Sequence, residues 1–106
     1  MATIEDFKKF EFKIAQIKEV EPHPNADRLF VIKVDTGTEV RQIVAGIRRS
    51  YVPEQLVGRR VVLVANLEPA LIRGVESQGM LLAASDEAGV SVLSPDREVA
   101  LGSSVK

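Results

Sequence analysis

A small, mostly antiparallel β-barrel around one hydrophobic core is the architecture this sequence predicts, and three observations predict it. The chain has 106 residues, enough for a single domain (1–106) with its own core and no staples. Its apolar residues fall in short alternating or β-branched runs rather than on a helical period. No strand–helix–strand rhythm recurs, because one short helix-like segment, VPEQLVG, is all that interrupts the later runs.

The elements follow in order. Thr3 precedes Glu5 and Asp6, so it can cap an orphan N–H while the acids suit the positive end of a first helical turn. Only a short helix fits before Phe10, because FEFKIAQIKEVE (10–21) alternates at once, with Phe10, Phe12 and Ile14 on one face. That face reads as core-facing. Ile17 and Val20 break the count, which places a β-bulge near Ala15–Gln16 and a bend in a long strand. PHPNADRL is turn chemistry. LFVIKVD (29–35) and VRQIVAGI (40–47) are the next strands, with Gly37 between them. Pro53 suits a first helical turn and Gly58 its end, so VPEQLVG is a short helix. RVVLVANL (60–67) is the fourth strand, QGMLLAAS the fifth and GVSVL a sixth, before a Pro-Asp turn and a closing LGSSVK.

Strand–strand–strand–helix–strand–strand is the order of an OB-fold: an all-β, five-stranded barrel with one short helix between strands 3 and 4. Such a fold does not by itself specify a function. Composition narrows the field. Without cysteine there are no disulfides and no thiolate metal ligands. No apolar run reaches the ~20 residues of a membrane span, and MATIEDFKKF lacks a signal-peptide core, so a cytoplasmic, membrane-free location is expected. The formal charge is −1, but between Arg41 and Arg60 five arginines face one acid, Glu54. Such a cluster reads either as a solvated face or as a basic patch for a polyanion.

Enzyme chemistry has little to work with. His23 is the single histidine; it sits between two prolines in a turn, where a wet surface position is expected, and no cysteine pairs with it. Neither an HExxH spacing nor a phosphate-binding glycine loop occurs. No catalytic residue, metal site or cofactor is expected.

The segment NLEPALIRGVESQG (66–79) carries more polar and turn chemistry than a plain connection. It reads as a long hairpin link set by Pro69, Gly74 and Gly79. Alternatively, Leu71, Ile72 and Val75 fold it back on the barrel, so that Asn66, Arg73, Ser77 and Gln78 hold their donors in fixed positions. Guanidinium, hydroxyl and carboxamide groups are those that grip phosphate and ribose oxygens. Aromatic residues are few: four Phe, one Tyr and no Trp. A base-stacking platform, which gains ~1–3 kcal/mol per base, is poorly supplied, so any bound nucleic acid would be held by backbone contacts and shape.

HPNADRLFVIKVDTG, RQIVAGI with YVPEQLVGRRVVLVANL, and NLEPALIRGVESQGMLLAAS together resemble the tRNA-binding domain at the C-terminus of bacterial methionyl-tRNA synthetases, also found in stand-alone tRNA-binding proteins and EMAP-type synthetase cofactors. The likeness runs from about Ile4 to Lys106. It implies an OB-fold that binds tRNA by its folded shape and sugar–phosphate contour, without catalysis. It also implies a homodimer built by N- and C-terminal extensions, Thr3–Phe12 and Val99–Lys106; the alternative is that these segments close the barrel ends. The implied partners are tRNA, a second copy and, if this is the terminus of a longer chain rather than a free-standing protein, a covalently linked synthetase core.

The resemblance places RNA contacts at Asn66, Arg73, Ser77 and Met80, with Gln42 on the neighbouring strand and Lys33 and Arg41 widening the basic rim. Met80 would offer a soft apolar contact, or else belong to the core. The family usually has lysine where this chain has Glu68, and often a basic residue at Leu71, which predicts weaker and less salt-sensitive binding. The competing expectation is a dimeric export-type chaperone on the same fold that binds unfolded polypeptide.

Overall fold

The computed structural model describes residues 1–106. Its first element is a single helical turn, α1 (Ile4–Phe7). Thr3 caps it as expected. The Thr3 hydroxyl accepts from the Asp6 N–H at 3.2 Å and the Asp6 carboxylate accepts from the Thr3 N–H at 3.1 Å. The backbone N–H of Thr3, aided by its side chain and Lys9, holds the Asp6 carboxyl below its ordinary value of 3.8.

The barrel strands are β1 (Phe12–Pro22), β2 (Phe30–Asp35), β3 (Val40–Ala45), β4 (Arg60–Val64) and β7 (Met80–Leu81), hydrogen-bonded in the order β3-β2-β1-β4-β7. Helix α2 (Pro53–Leu56) stands between β3 and β4, with Pro53 in its first turn and Gly58 beyond its end at φ +92°. Every pairing in this sheet is antiparallel. Two short hairpins complete the chain: β5 (Ala70–Ile72) with β6 (Val75–Ser77), and β8 (Ala83–Asp86) with β9 (Gly89–Val92). Finally β10 (Ser104–Val105) pairs with Phe12 and Lys13. The run QGMLLAAS is therefore two strands, β7 and β8, split at Leu82.

Two expectations for β1 are corrected. The irregularity lies between Ile17 and Glu19 in the pairing with β2, not near Ala15–Gln16. The central cluster also takes the opposite face: Ala15 and Ile17 enter it with Ile32, Val34, Ile43, Leu56, Val61 and Leu63, all fully buried, whereas on the expected face Ile14 alone is buried, outside that cluster. Phe10 and Phe12 face outward. Alternation fixes which residues share a face, but a one-residue change of phase exchanges inside for outside. Here the bulge at Lys18 lets Val20 rejoin the inner face.

The outward aromatic set gathers beside α1. Phe12 stacks on Phe7 with ring centroids 5.3 Å apart and meets Phe10 at 6.2 Å. Phe7, Phe10 and Ile4 remain 43%, 49% and 60% exposed, a contiguous apolar surface of the kind that marks an interface.

Side chains, rather than strand pairing alone, close the barrel between β3 and the β6–β7 segment. The Gln78 N–H donates to the Gln42 carbonyl at 2.7 Å, and the Gln42 N–H donates to the Gln78 side-chain oxygen at 3.0 Å. The Val44 N–H donates to the Ser77 hydroxyl at 2.9 Å, which in turn donates to the Gly79 carbonyl at 3.0 Å. Ser77 is 3% exposed. Ser77→Ala leaves a buried N–H unpaired, at a cost of about 1–3 kcal/mol. Urea unfolding measures it; a loss below about 0.5 kcal/mol would mean that water or backbone replaces the hydroxyl.

Candidate functional site

The segment 66–79 is neither a passive link nor a single rim. Its centre is the β5–β6 hairpin, in which Ile72 pairs with Val75 across the two-residue turn Arg73–Gly74. Arg73 has φ +53° and Gly74 φ +88°. Two successive positive φ values suit the right-handed twist of a hairpin, and asparagine, aspartate or glycine normally occupies the first of them. Arg73 is the one non-glycine residue of the chain with positive φ. A long side chain held in that region signals local strain.

A buried latch fixes this turn. The ring of His23, expected to be wet, is 3% exposed. Its Nδ1 accepts from the Asn25 N–H at 2.9 Å, so Nε2 carries the proton and donates to the Ile72 carbonyl at 2.9 Å. The Asn25 amide donates to the Arg73 carbonyl at 3.3 Å, and the Arg73 guanidinium donates to the Asn25 carbonyl at 3.0 Å. The stretch HPN and the turn RG thus hold each other, and the histidine acts as a strut. Nothing local to either stretch signals a contact across 49 residues.

The other site residues separate into groups. Lys33, Arg41, Gln42 and Ser77 meet at the barrel seam. The Lys33 ammonium donates to the Gln42 side-chain oxygen at 2.7 Å, and the Gln42 amide donates to the Glu76 carbonyl at 2.9 Å. Arg41 pairs with Glu39 and donates to the Ala65 carbonyl. Asn66 lies elsewhere: its amide oxygen accepts from the Glu11 N–H and its NH₂ donates to the Lys9 carbonyl, each at 2.7 Å. It ties the N-terminal segment to the end of β4. The hydroxyl of Ser77 and the amide of Asn66 are therefore occupied within the fold, and they do not stand on one rim with Arg73. Met80 is 48% exposed and lies with Phe10, Phe12 and Leu67 around one apolar hollow, not in the core.

The arginines between 41 and 60 do not form one patch. Arg60 pairs with Glu98 at 3.2 Å, Arg59 donates to the Gln55 carbonyl and lies 5.5 Å from the Tyr51 ring centroid, and Arg48 donates to the Ala26 carbonyl. Beneath the β5–β6 hairpin runs a second, mostly apolar groove of about 360 Å³, lined by residues that include Val44, Ile72, Met80 and Leu81, with Glu68 among them. No group of three histidine or acidic residues converges to hold a metal ion. No helix is long and apolar enough to cross a membrane.

Comparison with known proteins agrees with this architecture. The family described as "Putative tRNA binding domain" matches residues 12–104. The methionine–tRNA ligase of Thermococcus kodakarensis is 55% identical over 104 residues, which is 98% of this chain and 14% of that protein. The chain thus spans about a seventh of the length of such curated relatives. Among solved structures, a MetRS-related protein from Pyrococcus horikoshii superposes with a TM-score of 0.92 at 37% identity, covering 100% of this chain and 98% of that one. A CsaA chaperone protein from Picrophilus torridus gives 0.93 at 27% identity, with 100% of both chains covered.

Proposed function

The chain belongs to the tRNA-binding domain family, and from that premise we propose that it binds tRNA by shape and sugar–phosphate contacts, without reading sequence. Arg73 carries the reading. Its guanidinium is exposed, has no carboxylate partner, and stands on a strained turn that a buried latch holds in place. Arg73 and Lys33 meet phosphates, Met80 offers an apolar contact to ribose or base, and Gln42, Ser77, Arg41 and Asn66 position the elements that carry them. In a longer cytoplasmic chain the domain acts as a second grip that raises the local tRNA concentration near a synthetase core.

The dimer belongs to the same proposal. Ile4, Phe7 and Phe10 keep about half of their surface exposed, and the N- and C-terminal segments are joined through the β1–β10 pairing. A second copy packed on this surface would remove it from water.

Filter binding with total tRNA and with a denatured protein client tests the reading. Retention of tRNA that falls linearly in log affinity with log salt supports it; retention of the client alone favours the chaperone alternative. That second reading draws on the CsaA likeness and on the apolar groove under the hairpin, which suits an extended peptide. Glu68, exposed at this groove, provides a further check. Glu68→Lys adds two units of charge beside the hairpin, on the order of 1 kcal/mol at ~7 Å in water, so tRNA binding should tighten about fivefold. An unchanged or weaker affinity would place the RNA away from the base of the hairpin.

A further inference from the structure

Beside Arg73 lies an open basin of about 460 Å³ lined by Ala26, Asp27, Arg28, Leu29, Arg49 and Arg73. We propose that this basin is a phosphate-binding site, with Arg28 and Arg49 as ligand-contacting residues alongside Arg73. The inference rests on the tRNA reading for its biological ligand, but not for its chemistry.

Three separate segments bring these arginines together. The Arg48 N–H donates to the Arg28 carbonyl at 3.3 Å, and the Arg48 guanidinium donates to the Ala26 carbonyl at 3.3 Å. Arg48 therefore anchors the turn that carries Arg49 against the loop that carries Arg28. The His23–Asn25 latch fixes the same loop to the turn that carries Arg73. The framework residues, His23, Asn25 and Arg48, use their polar groups within the fold. Arg28 and Arg49 form no hydrogen bond through their side chains and no ion pair, and Arg73 commits one N–H to the Asn25 carbonyl. Asp27 is the single acid in the lining. Three guanidiniums against one carboxylate repel one another, and an anion with several oxygens relieves that repulsion while accepting forked hydrogen bonds. A terminal phosphate or a run of adjacent phosphodiesters has this chemistry; a single carboxylate has only two oxygens and one charge to offer three donors.

Two measurements on the intact chain test the site. Inorganic tripolyphosphate, titrated against ¹⁵N-labelled protein at about 100 mM salt, should shift the Arg28, Arg49 and Arg73 Nε–H signals at lower concentration than those of Arg59 and Arg97, which lie elsewhere. Binding of total tRNA should weaken about tenfold or more in Arg28→Ala/Arg49→Ala, with the salt slope reduced by about two contacts' worth, roughly 0.9 each. Lys18→Ala/Arg97→Ala, which removes the same charge elsewhere, should change both far less. Equal responses of all five arginines overturn the site, as does an equal loss in the two double variants. Selective shifts with tripolyphosphate but no retention of tRNA by the wild-type chain would keep the phosphate site and overturn the tRNA reading instead.

Discussion

Gly79→Ala is expected to destabilise the fold by about 3 kcal/mol, a large share of the 5–15 kcal/mol typical of a small domain. Gly79 has φ +147°, and a Cβ there would lie 2.9 Å from the Val64 carbonyl oxygen and 3.0 Å from the Leu63 side chain. The oxygen belongs to the backbone of β4 and cannot move without opening the β4–β7 pairing. Next to Gly79 is the Ser77 hydroxyl that satisfies Val44. The methyl group therefore acts on strain, close contact and seam hydrogen bonding together. Urea denaturation with a fixed m-value measures the loss. A cost under 1 kcal/mol would show that the seam is not held by close approach at Gly79.

The second large effect concerns assembly. Phe7→Glu/Phe10→Glu should convert a dimer into a folded monomer, because both side chains are already substantially exposed within one chain and the core lies on the other face of β1. Burying a Phe on association is worth ~1.5–3 kcal/mol, and two copies double that gain. If one tRNA is held by both copies, losing the second grip should lower tRNA affinity by about 100-fold or more. Sedimentation and filter binding on the same samples decide the matter. A wild-type chain that sediments as a monomer at high micromolar concentration contradicts the dimer. A monomeric variant with undiminished affinity contradicts the shared grip.

Much of the fold was legible because it is written in local chemistry. Thr3 and Asp6 announce the capped turn, Pro53 and Gly58 bracket the short helix, and β-branched runs mark β2, β3 and β4. What failed was information of another kind. Period two in FEFKI shows that Phe10, Phe12 and Ile14 share a face, yet nothing in that run says that Ile14 is buried there while Phe10 stays exposed. The ring of His23 bonds a carbonyl 49 residues away, and Ser77 accepts from an amide 33 residues away; short windows hold neither.

The β5–β6 hairpin was missed for a more instructive reason. Its turn would be plain as Asn-Gly, but the first position is arginine, a poor choice for the backbone. Where a local rule is broken and the fold supplies a buried latch to maintain the break, a functional demand on that side chain is the physical reason to look for. Arg49 stood out only as one of five clustered arginines and Arg28 lies in a polar stretch of ordinary appearance; only the Arg48 and His23 contacts bring them beside Arg73.

Arg73→Asn separates what this arginine does for the turn from what it does for RNA. Asparagine suits positive φ better than arginine and keeps the turn's backbone bonds, so the unfolding midpoint should stay level or rise. If Arg73 contacts RNA, tRNA affinity should nevertheless fall by about 1–3 kcal/mol, the scale of a charge-assisted hydrogen bond. Undiminished affinity, or a loss matched by a loss of stability, would show that the arginine serves the turn and not the ligand.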